Sequence, residues 1–138
     1  MDDTTFELHP RLAADARPIG DLALSRALLM DDRRFRWVIL VPRLPGLREL
    51  HDLPPTHRLA LFGEVEAVSR ALLDHCGARK INVGALGNLV PQLHVHVVGR
   101  EPGDAAWPGP VWGFGTGQPY PDDELQPLLE RLRTLLVP

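Results

Sequence analysis

The most informative stretch of this 138-residue chain is Gln92-Leu93-His94-Val95-His96-Val97-Val98-Gly99-Arg100. It is rich in β-branched residues, and its polar and apolar side chains alternate, which is typical of a β-strand. Because successive side chains of a strand point to opposite faces, Gln92, His94 and His96 share one face with Val98. A strand does not need two imidazoles and an amide on one face for its stability. The arrangement therefore indicates chemistry.

Three interpretations of this face remain open on the stretch alone. The first is an ordinary strand that carries two partly exposed histidines. The second is a metal site, because His-x-His supplies two imidazole ligands that suit Zn, Fe, Ni or Cu. The third is phosphate chemistry, in which one histidine attacks phosphorus and its neighbours hold or protonate the phosphate oxygens.

The residues before this stretch predict a hairpin and one long helix. Ser25–Met30 and Trp37–Val41 are expected to be paired strands around the turn at Asp31-Asp32-Arg33-Arg34, whereas residues 1–21 are turn-rich. From Asp52 to Cys76 the apolar residues follow a helical period, with a stripe at Leu61, Val65, Val68 and Leu72 that is widened by Leu59, Phe62 and Leu73. Glu64 is expected to face water.

The remaining elements complete an α+β plan. Residues 78–84 are expected to form a strand that turns back into the histidine strand, and Asp122–Leu136 is expected to form a C-terminal helix. The order of hairpin, helix, strand, turn and strand predicts an antiparallel sheet with one main helix packed on a face.

Composition narrows the class of protein. Apolar content of 44% and charged content of 24% are ordinary for a globular domain. A net charge of −3 and a pI near 6.0 make binding to long nucleic acid or to an anionic membrane unlikely. The single Cys76 cannot form an internal disulfide or a multi-cysteine zinc motif. No stretch approaches the length of a membrane span, and we expect a cytoplasmic protein.

Three motifs together resemble the histidine triad (HIT) family. Gln92–Val98 resembles the signature His-φ-His-φ-His-φ-φ, where φ is apolar, with glutamine in place of the first histidine. Gly87-Asn88-Leu89-Val90-Pro91 resembles the family's phosphate loop, and Trp107-Pro108 resembles the Trp-Pro that closes the site in one branch. The resemblance implies a bacterial-type single HIT domain over residues 1–112, with its core at about 20–112. Residues 113–138 would be a loop and a helix that pack on the same domain.

The resemblance also implies a reaction and a set of site residues. His94 would attack the α-phosphorus of a nucleotide, form a nucleotidyl-histidine and release it to water, while His96 donates to a phosphate oxygen. No metal or other cofactor is required. The phosphate would be held by Gln92, Asn88, Gly87, Asn82 and Leu89. The nucleoside would be held by Leu29, Met30, Asp31 and Trp107.

This sequence departs from the family pattern at three positions. Gln92 cannot carry a proton near neutral pH, Leu89 replaces a Ser or Thr hydroxyl, and Trp37 stands where the family often has a histidine. We expect first a hydrolase or transferase that acts on dinucleoside polyphosphates or nucleoside phosphoramidates. The alternative is a nucleotide-binding protein with weak or no catalysis. The ligand would be a purine nucleotide or dinucleotide, and the family implies a homodimer.

A metal-dependent cupin-like enzyme is a distant third possibility. His94, His96 and Glu101 have the spacing of a cupin metal motif. However, Asn88 occupies the position of a required glycine, and the predicted helix at Asp52–Cys76 stands where a cupin barrel has strands.

Overall fold

The computed structural model describes residues 6–138, and its centre is a five-stranded antiparallel sheet of order β1-β2-β3-β5-β4. The strands are β1 Ala16–Asp21, β2 Ser25–Met30, β3 Arg36–Pro42, β4 Lys80–Gly84 and β5 Val95–Arg100. The helices are α1 Pro10–Asp15, α2 Pro55–His75 and α3 Asp122–Leu136, and a 3₁₀ turn spans Leu50–Asp52. Among these described helices, none is both long and apolar enough to cross a membrane. The antiparallel sheet, with α2 packed against it, is the predicted α+β architecture and not a cupin barrel.

The strand β1 is the element that the sequence did not reveal. Pro18 and Gly20 indicated turns, yet residues 16–21 pair with β2 along the edge of the sheet. Proline is tolerated on an edge strand because its missing N–H leaves no partner unsatisfied there. The register shifts between Pro18 and Gly20, and Gly20 adopts a φ of 154° at this irregularity.

The two faces of the sheet bury different sets of residues. One face, which we call the helix face, packs α2 and α3 through Val68, Leu72 and Leu132. The other, which we call the histidine face, carries His96, Val98 and Arg100 of β5 and is covered by α1 and by the loop after β5. The helices α2 and α3 therefore both lie on the side of the sheet away from the histidines.

Two expectations about α2 were wrong. Glu64 does not face water: its side chain is buried, and its carboxylate accepts the N–H of Leu24 at 2.8 Å and of Ser25 at 3.1 Å. Leu24 immediately precedes β2 and Ser25 is its first residue, so the carboxylate of Glu64 joins α2 to the start of this strand. Leu59, Phe62 and Leu73, expected to widen the buried stripe, are 77%, 76% and 40% exposed.

The end of α2 is marked by a glycine. Gly77, just after the capping residue Cys76, adopts a φ of 78°, which favours glycine because it has no Cβ. The next amide, that of Ala78, donates to the carbonyl of Leu72 at 3.1 Å and satisfies one of the last helical acceptors. The chain is thereby directed into β4.

We predict that Glu64→Ala lowers the free energy of unfolding by about 1–3 kcal/mol, because two buried amides lose their acceptor. Urea denaturation measures the change. The matched control is Glu66→Ala on the same helix, whose exposed carboxylate pairs with Arg70 at 2.9 Å. It should change stability by less than about 0.5 kcal/mol. Equal effects of the two substitutions would contradict the role given to Glu64.

Candidate active site

Two buried histidines lie side by side at the start of β5. His94 immediately precedes the strand and His96 is its second residue. Their ring centroids are 4.9 Å apart with an interplanar angle of 67°. The strand begins at Val95 rather than at the predicted Gln92, yet the predicted pairing of the two imidazoles on one face is correct.

The backbone fixes the orientation of the His94 ring. Its Nδ1 lies 2.7 Å from the carbonyl oxygen of Gln92. Because a carbonyl only accepts, Nδ1 carries the ring proton, and the lone pair of the neutral imidazole is on Nε2. His94 is thus held with Nε2, the unprotonated nitrogen of its neutral ring, on the side away from the Gln92 carbonyl.

His96 has the opposite proton arrangement. Its Nδ1 accepts a hydrogen bond of 2.9 Å from the indole N–H of Trp37, which assigns the proton of the neutral ring to Nε2. Burial, together with the nearby His94, lowers the pKa of His96 from 6.5 to about 4. His96 is therefore a neutral hydrogen-bond donor at physiological pH.

Trp112 completes the aromatic surroundings of His96. Its ring centroid lies 5.6 Å from that of His96 and 6.2 Å from that of Trp37, both in edge contacts. A Cβ at position 84 would lie 3.0 Å from Cη2 of Trp112, so Gly84 provides the space for this ring. The loop after β5 thus places a tryptophan on the histidines, but it is not the predicted one.

The predicted Trp107 and Asn82 instead belong to a network around Arg100. This arginine is fully buried and forms a bidentate pair with Asp104, which holds the pKa of that carboxyl below its usual range. Its guanidinium also donates to Asn82 Oδ1 at 2.8 Å and lies 5.6 Å from the Trp107 ring. Arg100 is four residues beyond His96, roughly 13 Å along the strand. Trp107 therefore lies toward the far end of β5, whereas Asn82 is opposite Val98, between His96 and Arg100.

The predicted phosphate loop lies on the other side of His94. Gly87 adopts a φ of 71°, and the neighbouring Asn88 and Leu89 are exposed. The loop borders a cavity of about 240 Å³ that His94 enters, together with Arg48, Glu49, Leu50, His51, Ala85, Leu86, Gly87, Gln92 and Leu93. Gly87, Gln92 and His94 are thus brought together as predicted.

The side chain of Gln92 is committed to the N-terminal segment. Its Oε1 accepts the N–H of His9 at 2.9 Å, and its Nε2 donates to the carbonyl of Glu7 at 2.8 Å. The amide therefore attaches residues 7–9 beside His94.

The hairpin of β2 and β3 forms a second cavity of about 290 Å³ on the histidine face. Met30, Asp31 and Trp37 line it, along with residues of the loop at 111–119. Leu29 does not, contrary to expectation: it is fully buried on the helix face, because adjacent residues of a strand point to opposite sides. Asp31 accepts the N–H of Tyr120 at 2.9 Å and a longer bond from Arg17.

Two site residues were missed from the sequence. Trp37 was noted only as a replacement for a histidine, and Trp112 was not among the predicted site residues. In both cases the signal was a large aromatic residue at an unusual position, but only the folded chain shows that both rings contact His96. Across residues 6–138, no group of three or more His, Cys, Asp and Glu side chains is arranged to hold a metal ion.

Comparison with known proteins identifies the family. Residues 11–103 match the family model described as the HIT domain. The chain belongs to the HIT family. No protein with a curated description matches it.

Solved structures of HIT proteins resemble the whole chain. A histidine triad protein from Sinorhizobium meliloti 1021 is 47% identical with a TM-score of 0.94, covering 98% of this chain and 100% of its own. One from Marinobacter aquaeolei VT8 is 45% identical with a TM-score of 0.93, covering 96% of each chain. One from Bradyrhizobium japonicum is 44% identical with a TM-score of 0.93, covering 96% of this chain and 98% of its own.

We predict that His96 titrates near pH 4 and stays neutral, with its proton on Nε2, from about pH 5.5 upward. Long-range ¹H–¹⁵N NMR distinguishes the protonated from the unprotonated ring nitrogen. Because unfolded His96 takes up its proton below about pH 6.5, the unfolded state binds more protons between pH 6.5 and 4. The stability that His96 contributes above pH 6.5 is therefore lost as the pH falls toward 4.

The matched pair of variants is Trp37→Phe and Trp107→Phe. The first removes the donor to Nδ1, so it should raise the His96 titration midpoint and allow both tautomers. The second should leave both unchanged. A wild-type midpoint near pH 6.5 would contradict the lowered pKa of His96.

Proposed function

We propose that this HIT protein is a nucleotide hydrolase or transferase that acts at an α-phosphate through a nucleotidyl-histidine intermediate on His94. The observation that carries the proposal is the 2.7 Å contact between His94 Nδ1 and the Gln92 carbonyl, which leaves Nε2 as the free nucleophile. Membership of a family whose members generally bind and cleave nucleotides supports it.

In the proposed first step, the Nε2 lone pair of His94 forms a bond to the α-phosphorus. The bond from phosphorus to the leaving group breaks, and the ring becomes positively charged while Nδ1–H stays bonded to the Gln92 carbonyl. The Nε2–H of His96 donates to a non-bridging oxygen and stabilises the charge that develops there. In the second step water attacks phosphorus, the N–P bond breaks and the nucleoside monophosphate is released.

The substrate would occupy two cavities, one lined by His94 and the other lined by Trp37, whose indole contacts His96. The phosphates would lie against Gly87 and the backbone amides of Asn88 and Leu89, at the cavity that His94 enters. The nucleoside, by preference a purine, would lie between Met30 and Asp31, beside Trp37. We assign Gln92, in the place of the first histidine of the triad, to positioning the loop and the N-terminal segment rather than to direct proton transfer.

Dinucleoside polyphosphates and nucleoside phosphoramidates are the proposed substrate types, and the reaction uses no metal. A nucleotide-binding protein with weak or no catalysis is the second candidate. It is favoured by two observations: Gln92 holds no titratable proton, and Leu89 is 77% exposed without a hydroxyl group. The presence of both His94 and His96 in a fixed arrangement favours catalysis.

A homodimer in the cytoplasm is the proposed setting. The exposed Leu59 and Phe62 of α2 provide an apolar surface that a second copy would cover. The only cysteine, Cys76, has a thiol whose pKa is raised by burial, which suits a chain that remains reduced.

We predict that His94→Ala abolishes the covalent intermediate and lowers kcat by about 10⁴-fold or more, because the nucleophile is lost. Intact mass spectrometry after incubation with diadenosine polyphosphates or adenosine phosphoramidate should detect one nucleotide on the wild-type chain and none on the variant. His75→Ala, at the end of α2, is the control and should form the adduct normally.

Tight nucleotide binding without adduct or product would instead establish the binding-protein alternative. The same assay in EDTA tests the metal-independent route. Loss of activity on chelation, restored by a divalent ion, would contradict the mechanism.

We predict that the protein is a dimer in solution, so that light scattering gives a mass of twice 15.3 kDa. Phe62→Glu should shift the protein toward the monomer, because it places a charge in the apolar contact. Leu135→Glu is the control, since it changes a partly exposed leucine on α3 and should leave the mass unchanged. A wild-type monomer would refute the proposed dimer.

A further inference from the structure

The positions of the protons in this site determine which leaving groups it can expel. A leaving group that departs from phosphorus takes the bonding electron pair with it. Phosphate and carboxylate are stable as anions and need no proton, whereas an amine must receive one as the bond breaks. Protonation of a leaving group by a positioned acid contributes about 10²–10⁴-fold to a rate. The polar side chains at and near His94 are the candidate donors of that proton.

His94 cannot supply it. Its ring proton is on Nδ1 and points at the Gln92 carbonyl, 2.7 Å away, on the side of the ring opposite to the attacking Nε2. After attack the same proton stabilises the positive ring through that hydrogen bond.

His96 cannot supply it either. The Trp37 N–H occupies Nδ1 at 2.9 Å, so a second proton on that nitrogen would place two N–H groups against each other. Trp37, Trp112 and His94 surround the ring, and this burial lowers the pKa of His96 to about 4. The remaining Nε2–H of a neutral imidazole forms a hydrogen bond but is far too weak an acid to give up its proton at neutral pH.

Gln92 is the third polar side chain next to His94. A carboxamide neither gains nor loses a proton near neutral pH. Moreover, both ends of this amide are already bonded to the backbone of residues 7–9. Gln92 therefore cannot relay a proton from solvent to the leaving group.

We propose that this site is specific for substrates whose leaving group departs as a stable anion, namely phosphoric anhydrides and mixed carboxylic–phosphoric anhydrides, and that it discriminates against phosphoramidates. This inference rests on the proposed function of His94. It selects among the substrate types proposed above: phosphorus bound to the oxygen of an acidic group is a substrate, and phosphorus bound to an amine nitrogen is a poor one.

The balance of the step is simple. The Nε2–P bond forms and the P–O bond to the leaving group breaks, so the leaving group departs with the electron pair as phosphate or carboxylate. No proton moves in this step. In the second step water forms the new O–P bond, the electron pair of the N–P bond returns to Nε2, and the water proton passes to bulk solvent.

One further imidazole faces the cavity that His94 enters. His51 lines it together with the cation of Arg48 and the carboxylate of Glu49. The His51 side chain is 81% exposed and its Nε2 lies 4.0 Å from Asp52 Oδ1, without a hydrogen bond to hold the ring toward His94. We therefore regard His51 as a solvated side chain, and the variant His51→Asn tests this assignment.

The test is a series of aryl esters of adenosine 5′-monophosphate, from 4-nitrophenyl to phenyl, that differ only in the acidity of the phenol released. For the wild-type protein, kcat/KM should fall by about 100-fold or more across the series, since no acid compensates for a more basic leaving group. Adenosine 5′-phosphoramidate should be slower than the 4-nitrophenyl ester by at least as much. The slope is measured on the wild-type chain and needs no variant to fold.

The variant Gln92→His places an imidazole, which can donate a proton, where the wild-type side chain is a carboxamide that cannot. It should reduce the fall across the series to about 10-fold or less and improve the phosphoramidate most. The matched control is Gln126→His, at an exposed position of α3 on the opposite side of the sheet from the histidines, which should keep the wild-type slope. A folded Gln92→His protein with an unchanged slope would overturn the assignment of the effect to this position.

Failure of this inference is distinguishable from failure of the proposed function. If the 4-nitrophenyl ester yields neither nitrophenol nor an adenylyl adduct on His94, the proposed function is wrong. If the adduct forms but wild-type rates are flat across the series, the nucleophile is correct and only the leaving-group inference is overturned. A flat series that becomes steep in His51→Asn would identify His51 as an acid and would equally overturn it.

Discussion

The register of β5 is the constraint on which the site depends. This strand pairs on both sides, so that His96 is opposite Ile39 of β3 and Gly84 of β4. A slip by one residue would turn both histidines toward α2 and place valines on the other face. The same register places Trp37 opposite Val98, two residues before Ile39 in β3. From there its indole N–H reaches His96. Hydrogen bonds on two sides therefore hold the imidazoles more firmly than an edge strand would.

Two buried charged side chains, Arg100 and Glu64, are each held by specific partners, one on each face of the sheet. Arg100 is fully buried and neutralised by Asp104, which also accepts the N–H of Ala106 and Trp107. That pairing begins the loop that later brings Trp112 to His96. On the helix face, the carboxylate of Glu64 serves the amides at the start of β2. Removing one member of such a buried pair costs more than the pair itself contributes.

The sequence predicted the elements whose pattern is local and periodic. The hairpin, α2, α3 and the alternation of His94 and His96 follow from periodicity alone, whereas β1 was concealed because Pro18 resembles a turn residue and acts as an edge-strand residue. Glu64 lies three residues after Leu61 and four before Val68, on the buried stripe of α2, and was expected in water because it is charged. Its partners, the amides of Leu24 and Ser25, are distant in the sequence and become visible only in the fold. Trp112 reaches His96 through an irregular loop, and no period in the sequence encodes such a path. Contacts that depend on loops and on unpaired backbone groups become visible only in three dimensions.

The carboxylate of Asp31 has a consequence for molecular recognition. It is held from two sides, by the Tyr120 N–H and by Arg17, before any ligand arrives. A carboxylate offers about four lone-pair positions, so acceptor capacity remains at an oxygen pair whose direction is already set. The entropy of orienting this group is therefore lost during folding and is not lost again on binding. Because Tyr120 is followed directly by Pro121 and α3, the C-terminal segment fixes the direction of this carboxylate, and a nucleoside bound as proposed would meet an acceptor whose position depends on that segment.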